Sequence, residues 1–409
     1  MPTRHLTVLN SLACLFLVAA CGGGGGGGAE DGPDPDIPIT TTVYTVGFSA
    51  SQIIDGAAAP DTITATANLS VARGDGTFAS GTVTVNGVAA TSVTINVGYA
   101  GESGPIAVVL TNSGGGSWAV PAGTEIDDQE FFRLDAAGYY VAIETPQGRL
   151  RGQIVPPNWV GTIVPLDDEQ VVPAAMSTGS AIAGFTLDPR TGRLRLRITL
   201  TGVPAATSAG LRSAISGARG DVVIPLEQST SDPNVWGTRD INDPNADDIL
   251  TPAGLDLLLS GELYFSVETA ANPTGELRGQ IFDETVTVTE TVLTAGEVVT
   301  SGAPVDTGAE GTATLTWNGA VNRLGVAVNT DINNAVSVAV YQGAPGENGA
   351  LVLTLSADVM LTGNWVVRPT EVATEIAEAL EAGNLYVSIV TVANPEGELR
   401  GQLSLDPPM

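Results

Sequence analysis

Glu262-Leu-Tyr-Phe-Ser-Val-Glu-Thr-Ala-Ala-Asn-Pro-Thr-Gly-Glu-Leu-Arg-Gly-Gln-Ile281 is the clearest copy of a stretch that this chain uses three times. A near-duplicate runs from Asn384 to Leu403, and a shortened copy runs from Gly138 to Ile154. The Arg-Gly-Gln triplets of the three copies begin at Arg151, Arg278 and Arg400. Their spacing of about 125 residues is the size of one domain, so the repeat predicts three tandem domains.

Short alternating segments place these domains in the all-β class. Residues 193–201 alternate apolar and polar side chains without a break, which predicts a strand with one buried face. Many such segments are separated by turn residues. We therefore expect three tandem β-sandwich domains of the Greek-key or immunoglobulin-like kind, each with one short helix before its last hairpin. The expected domains are 41–157, 158–285 and 286–409.

The predicted helix has its clearest signals in the second domain. Thr251 is a good N-cap, Pro252 suits the first helical position and Gly261 suits the position after the last turn. Matching helices are expected over residues 127–136, ended by Gly138, and over residues 370–380, ended by Gly383.

The chain is strongly acidic, with 45 acidic against 16 basic residues and a net charge of -29 at pH 7. Such a surface repels a phosphate backbone, so the charge argues against nucleic acid or anionic lipid as a partner of the domains. The one basic stripe is formed by Arg193, Arg195 and Arg197 on a predicted strand. It either docks an anionic polymer or an acidic neighbouring domain, or it is a solvated strand face, which is the commoner case.

The first 20 residues read as a signal peptide, with Arg4 and His5 before a short apolar run. Val18-Ala-Ala-Cys21 resembles the lipobox of bacterial lipoproteins, which implies that Cys21 is acylated and anchors the chain to a membrane. Gly22 at the next position implies sorting to the outer membrane of the bacterial envelope. Residues 21–40 then form a flexible Gly/Pro/Asp tether.

Removal of residues 1–20 excludes several chemistries. The remaining chain has no histidine, no lysine and no thiol besides Cys21. Ser-His-Asp and Cys-His catalysis, lysine Schiff bases and His- or Cys-ligated zinc are therefore excluded. We expect no cofactor and no enzymatic activity.

The repeated stretch resembles the C-terminal signature of the chordin-type (CHRD) domain, in the pattern Leu-Tyr-x-Ser-x-x-Thr followed by Asn-Pro-x-Gly-Glu-Leu-Arg-Gly-Gln. The opening of the second domain, Asp168-Glu-Gln-Val-Val-Pro-Ala-Ala-Met-Ser-Thr-Gly-Ser-Ala181, is similar to the opening of that domain. Gly296-Glu-Val-Val299 and Ser51-Gln-Ile-Ile54 are looser versions. The resemblance covers nearly all of the mature chain and implies a β-sandwich with an extracellular, interaction-type role.

The chain departs from the histidines that many bacterial members of this family carry. The strand histidine is replaced by Glu144, Glu268 and Val390. The His-x-His pair is replaced by Thr94 and Asn96, by Gly210 and Arg212, and by Ala339 and Tyr341. A histidine-based metal site therefore cannot operate here.

The polar residues of the repeated motif have two interpretations: a ligand-binding set or a structural set. The residues are Arg151, Gln153, Arg278, Gln280, Arg400 and Gln402. In the structural interpretation, which we favour, each arginine pairs with a carboxylate on the neighbouring strand, such as Glu144 or Glu268. Glu398 is the expected partner of Arg400, since Val390 cannot serve.

An acidic loop offers a weak calcium site at Asp240, Asp243, Asp247 and Asp248, although its spacing does not match an EF-hand and a solvated loop is the commoner case. We expect a non-enzymatic, lipid-anchored surface protein for binding, adhesion or envelope structure, with a protein or polysaccharide ligand. The alternatives are a carboxylate-based hydrolase and a calcium-dependent envelope or matrix module.

Overall fold

The computed structural model describes residues 40–49, 52–54, 56–74, 76–203, 205–238, 248–282, 285–359 and 361–405. Strands make up 52% and helices 8% of the structure, so the prediction of an all-β chain is confirmed. No helix within these described ranges is long and apolar enough to cross a membrane.

The first domain is one ten-stranded sheet whose two halves share one strand. Residues Thr40–Tyr44 of β1 pair with β2, and Thr45–Ser49 of the same strand pair with β10. The elements are β1 (Thr40–Ser49), β2 (Thr64–Gly74), β3 (Gly76–Asn86), β4 (Ser92–Val97), β5 (Ile106–Val109), β6 (Thr111–Gly114), β7 (Ser117–Ala119), β8 (Thr124–Glu125), α1 (Asp128–Asp135), β9 (Tyr139–Thr145) and β10 (Gly148–Val155). The strand order is β5-β4-β9-β10-β1-β2-β3-β7-β6, with β8 beside β3.

The second domain has two separate sheets, ordered β11-β12-β13-β17-β16 and β15-β14-β19-β20, with β18 beside β13. Its elements are β11 (Val160–Leu166), β12 (Ser180–Leu187), β13 (Arg193–Thr201), β14 (Ala206–Ser213), β15 (Asp221–Pro225), β16 (Glu227–Gln228), β17 (Val235–Gly237), β18 (Asp248–Ile249), α2 (Pro252–Leu259), β19 (Leu263–Thr269) and β20 (Leu277–Ile281). The predicted alternation of β13 is confirmed: its buried residues are Leu194, Leu196, Ile198 and Leu200.

The third domain repeats this plan with sheets β21-β22-β23-β27-β26 and β25-β24-β28-β29. Its elements are β21 (Val286–Leu293), a 3-10 turn (Ala295–Glu297), β22 (Gly311–Asn318), β23 (Arg323–Thr330), β24 (Ala335–Gln342), β25 (Ala350–Thr354), β26 (Ser356–Ala357), β27 (Asn364–Glu371), α3 (Thr374–Glu381), β28 (Leu385–Thr391) and β29 (Leu399–Leu403). Its core joins both sheets, with Leu315 and Val326 from one and Val340 and Val387 from the other.

The helix signals are confirmed in the second domain. Thr251 accepts a hydrogen bond from the Gly254 amide, Pro252 opens α2, and Gly261 follows it at φ +69°. In the first domain Asp127 caps α1 in a capping box with Glu130.

Two expected helix boundaries are wrong. Ala137 at φ +56°, not Gly138, takes the left-handed position after α1. Gly138 is required for space instead, since a Cβ there would lie 2.9 Å from the Tyr99 ring. Thr370 belongs to β27, because the pairing of β23 with β27 continues to Glu371, so α3 begins only at Thr374.

The described residues form two compact units. One contains those of Leu9–Ile163 and Gly184–Arg197, and the other contains those of Val164–Ala183 and Ile198–Met409.

Candidate functional site

The Arg278 side chain of the repeated motif is buried, with 3% of its surface exposed, and it holds a loop. Its guanidinium donates to the carbonyl oxygen of Ile215 at 2.9 Å and to that of Ala218. It also donates to Oε1 of Gln280, two residues further along β20. Because a buried charge requires several acceptors, these bonds fix residues 214–220 to the closing hairpin.

The other two copies repeat this arrangement, with Arg151 3% and Arg400 2% exposed. Arg151 donates to the carbonyls of Tyr99 (2.9 Å) and Glu102 (2.6 Å), and Arg400 to those of Ala344 (3.2 Å) and Glu347 (2.8 Å). We call residues 98–104, 214–220 and 343–349 the clamped loops. Each is fastened by the motif arginine of its own domain.

A tyrosine supports each arginine. The guanidinium carbons of Arg151, Arg278 and Arg400 lie 3.6, 3.8 and 3.5 Å from the ring centroids of Tyr140, Tyr264 and Tyr386. Each tyrosine hydroxyl also accepts a hydrogen bond from the last glycine of the clamped loop: Gly104, Gly220 and Gly349, at 3.3, 3.2 and 3.2 Å. Each tyrosine therefore contacts the arginine through its ring, as a cation–π partner, and the loop through its hydroxyl, as a hydrogen-bond acceptor.

The motif glutamine fastens the beginning of the same loop. Gln280 Nε2 donates to the carbonyls of Ala214 and Gly261, and so ties the loop to the residue that ends α2. Gln402 makes the same two bonds, to Gly343 and Gly383. In the first domain the acceptors of Gln153 include Gly98, Ala137 and Tyr139.

Sequence reasoning missed one partner of this glutamine. The backbone amide of Gln153 donates to the Gln52 side chain, that of Gln280 to Gln170, and that of Gln402 to Glu297. Gln52, Gln170 and Glu297 each precede an apolar pair in the opening segments of the three domains. Because this residue has the same position in all three opening segments, it could have indicated that the opening segment contacts the closing hairpin.

The expected pairing of the motif arginines with carboxylates is wrong for Arg278 and Arg400. Glu268 pairs with Arg212 at 2.9 Å, and Glu398 accepts from Thr391 and Thr307. The strand register explains this, since Ser266 lies opposite Arg278 and Ser388 lies opposite Arg400. Glu144 likewise lies opposite Arg149, to which it is bonded at 2.8 Å, while Arg151 lies opposite Ala142.

Burial lowers the pKa of the Arg278 guanidinium to about 10, and the Tyr264 ring opposes this shift. The side chain therefore remains protonated at neutral pH. Burial also lowers the pKa of Arg400, against the effects of Tyr386 and Glu297. A permanently charged donor beneath a loop stabilises carbonyl oxygens that point inward.

A buried glutamate closes the hairpin turn of the second domain. Glu276 accepts hydrogen bonds from Thr269 and Asn272 within the turn and from Ser177 in the opening segment. Burial raises the pKa of Glu276, but the hydrogen bonds from Ser177, Asn272 and Thr269 outweigh it, so the pKa lies below its usual value. Glu398 holds the equivalent turn of the third domain.

The positions of the missing family histidines do not fit a metal ion. In the second domain the Arg212 guanidinium lies 2.9 Å from the Glu268 carboxylate, where a cation would have to bind. In the third domain Tyr341 stacks on Tyr386, with ring centroids 5.4 Å apart. Among the described residues there is no group of three His, Cys, Asp or Glu side chains that could hold a metal.

The same place in the third domain is a pocket of about 170 Å³. Its lining includes Tyr341, Tyr386, Ser388, Val390, Glu396 and Arg400. Val390 and Tyr341 replace the glutamate and arginine that form an ion pair in the second domain. This change converts a filled, charged position into an aromatic recess.

The clamped loop of the first domain contacts strands β12 and β13. Arg197 forms an ion pair with Glu102 at 2.9 Å, and the Arg195 guanidinium lies 4.0 Å from the ring centroid of Tyr99. Gly184 admits the Ala100 carbonyl, since a Cβ at Gly184 would lie 1.8 Å from that oxygen. The solvated-face interpretation is therefore wrong for Arg195 and Arg197, and the alternative of an acidic neighbour holds for Arg197, whereas Arg195 packs on an aromatic ring.

The clamped loop of the second domain contacts strands of the third domain. The Gly217 carbonyl accepts hydrogen bonds from Asn329 at 2.9 Å and Asn364 at 3.0 Å. Ala218 forms a buried cluster with Ala327 and neighbouring apolar residues. These contacts lie on the outer face of β23 and β27.

Two of the predicted sites lie wholly or mostly outside the described residues. Cys21 lies outside the described residues, as do Asp240, Asp243 and Asp247 of the calcium candidate. Asp248 is the one described member, in β18.

The chain is thus a tandem repeat of one all-β module, whose closing hairpin clamps a loop of its own domain. It belongs to the CHRD domain family, whose model matches residues 49–154, 163–281 and 289–403. Neither the curated proteins nor the solved structures contain a match to this chain.

Proposed function

We propose that this chain is a non-enzymatic, lipid-anchored protein of the bacterial outer membrane whose CHRD domains present loops for binding, adhesion or envelope structure. The clamped loops carry the proposal. The motif arginines and glutamines are used to hold these loops, and the loop tips differ in sequence between domains, as in Ala100-Gly-Glu102, Ser216-Gly-Ala218 and Pro345-Gly-Glu347. A fixed support with variable tips suits recognition rather than catalysis, with neighbouring strands of this chain for the first two tips and with an outside partner for the exposed third tip.

The anchor is tested by Cys21→Ser in an outer-membrane-bearing bacterium grown with radiolabelled palmitate. The wild-type chain should carry label and sediment with the outer membrane, because two acyl chains bind a membrane stably. The Cys21→Ser chain should lose the label and be released from the membrane. Label on the Cys21→Ser chain, or release of both chains, would contradict the anchor.

The third-domain pocket favours a saccharide ring as ligand. At about 170 Å³ the pocket is smaller than the roughly 300 Å³ of drug-sized sites, and it suits a single ring. The half-buried Tyr341 ring offers an apolar face, while Ser388 and Glu396 offer hydroxyl and carboxylate oxygens. An apolar face beside a few polar groups matches the two sides of a pyranose.

Saturation-transfer NMR with glucose, galactose, mannose, rhamnose and N-acetylglucosamine tests this candidate on residues 22–409. At least one sugar should receive saturation. The double variant Tyr341→Arg with Val390→Glu copies the second domain's ion pair, keeps the fold and should abolish the transfer. Equal transfer in both chains, or none in the wild type, would exclude the pocket as a saccharide site.

A further inference from the structure

The first two clamped loops of this chain each pack on the outer sheet face of the next domain. The first loop contacts the outer face of β12 and β13, and the second contacts the outer face of β23 and β27. Gly101, Gly217 and Gly346 share a φ of +79°. The three loops therefore have a left-handed glycine at the same position of the tip.

The third loop packs on no outer sheet face in the described part of the chain. A Cβ on Gly217 would lie 2.7 Å from the Thr314 hydroxyl and 3.2 Å from Ala327. A Cβ on Gly346 would meet no described atom within 4 Å. Residues 345–350 are all exposed.

The first domain has a solvent-facing sheet face that corresponds to the face of the third domain on which the second loop packs. Val83 pairs with Trp118 on β3 and β7, as Val328 pairs with Trp365 on β23 and β27. Counting outward from these pairs, the neighbouring pair Thr84 and Ser117 corresponds to Asn329 and Asn364, the two amides that hold the Gly217 carbonyl.

The side chains of this face fit the clamped loop of the third domain. The hydroxyls of Thr84 and Ser117 can donate to a carbonyl oxygen in place of the two amides. Thr82 takes the position of Ala327 in the buried cluster, and its side chain is exposed. Thr82 and Thr84 flank the fully buried Val83, so they face away from the core.

We propose that the clamped loop of the third domain, residues 343–349, docks on the outer face of β3 and β7 in a second copy of this chain. The contact repeats the loop-on-sheet packing already seen between the second and third domains. It joins two different surfaces, so a pair joined by one such contact keeps one free loop and one free sheet face and can add further copies into strings or rings. Docking does not require the lipid anchor, so its failure leaves the proposed function standing.

Directed disulfide formation tests the contact, because residues 22–409 contain no cysteine. One preparation carries Glu347→Cys and the other carries Thr82→Cys, and the two are mixed under mild oxidation. The mixture should give a dimer whose crosslinked peptides join positions 347 and 82, in several-fold excess over either preparation alone. The matched control pairs Val359→Cys, an exposed residue outside the clamped loop, with Thr82→Cys.

Sedimentation velocity supplies the second measurement. The average sedimentation coefficient of the wild-type chain should rise with concentration. That of Thr82→Arg should not, because a bulky charged side chain covers the outer face of β3 and β7. Thr82 is exposed, so this substitution leaves the fold intact, which circular dichroism checks. The proposal is overturned if the 347–82 crosslink does not exceed the control, or if wild type and Thr82→Arg sediment alike at every concentration.

Discussion

The guanidinium of Arg278 lies on the ring of Tyr264, with 3.8 Å between its central carbon and the ring centroid. The hydroxyl of this tyrosine accepts the amide of Gly220, while the arginine donates to the carbonyls of Ile215 and Ala218 in the same loop. The two side chains together hold both ends of the loop tip. The arginine of the repeated motif therefore binds backbone carbonyls of its own domain and holds the loop in place.

Replacement of Arg278 by methionine should destabilise the second domain by about 2–4 kcal/mol, since each buried acceptor left without a donor costs about 1–3 kcal/mol. The substitution leaves the carbonyls of Ile215 and Ala218 without their charged donor. Differential scanning calorimetry measures the loss. Arg149→Met is the control, since Arg149 and Glu144 are 40% and 41% exposed and their ion pair should contribute less than about 1 kcal/mol. Equal effects of the two substitutions would contradict the clamp.

Alanine at Gly217 and at Gly346 should separate backbone strain from contact. Both glycines have φ +79°, so each substitution should cost about 1 kcal/mol in the left-handed region. Gly217→Ala should cost measurably more, because its Cβ would approach the Thr314 hydroxyl to 2.7 Å. Urea unfolding of the two variants gives the difference. If Gly346→Ala proves as costly as Gly217→Ala, the second loop is not packed as described.

Replacement of Glu276 by glutamine should reduce stability at pH 7 and flatten its acid dependence. The folded-state pKa lies below its ordinary value of 4.5, so the stabilisation is present above that value and is lost as pH falls through the folded pKa. The difference between wild type and Glu276→Gln should therefore shrink as the pH falls below about 4.5. Thermal unfolding at a series of pH values measures it, with the exposed Glu381→Gln as control. A difference that stays constant down to pH 2 would argue against the hydrogen-bonded carboxylate.

The repeat, the all-β class and the second-domain helix could be predicted from sequence because each has a local signal. Alternation at Arg193–Thr201 gives the strand, and Thr251, Pro252 and Gly261 give the helix ends. The left-handed Ala137 has no such signal, because a neighbouring glycine competes for the assignment. Thr370 was also ambiguous, since it is a good cap but lies in a strand whose partner is distant in sequence.

The partners of the motif arginines could not be predicted from residue types. Their acceptors are backbone carbonyls, which every residue carries, so the loop sequences Tyr99 to Glu102 and Ile215 to Ala218 share no acceptor side chain. The expected carboxylate Glu268 is close in sequence but is taken by Arg212. Strand register therefore decided the pairing, and register depends on the whole sheet.

Hydrogen exchange of the 214–220 loop in Arg278→Lys tests the clamp most directly. Lysine keeps the charge but lacks the planar fork that reaches two carbonyls and the Gln280 side chain at once. The clamp predicts that amides of this loop, Gly220 above all, exchange at least tenfold faster in Arg278→Lys, while the amides of the 343–349 loop, held by Arg400, are unchanged. Unchanged exchange in the 214–220 loop of a folded Arg278→Lys chain would contradict the account.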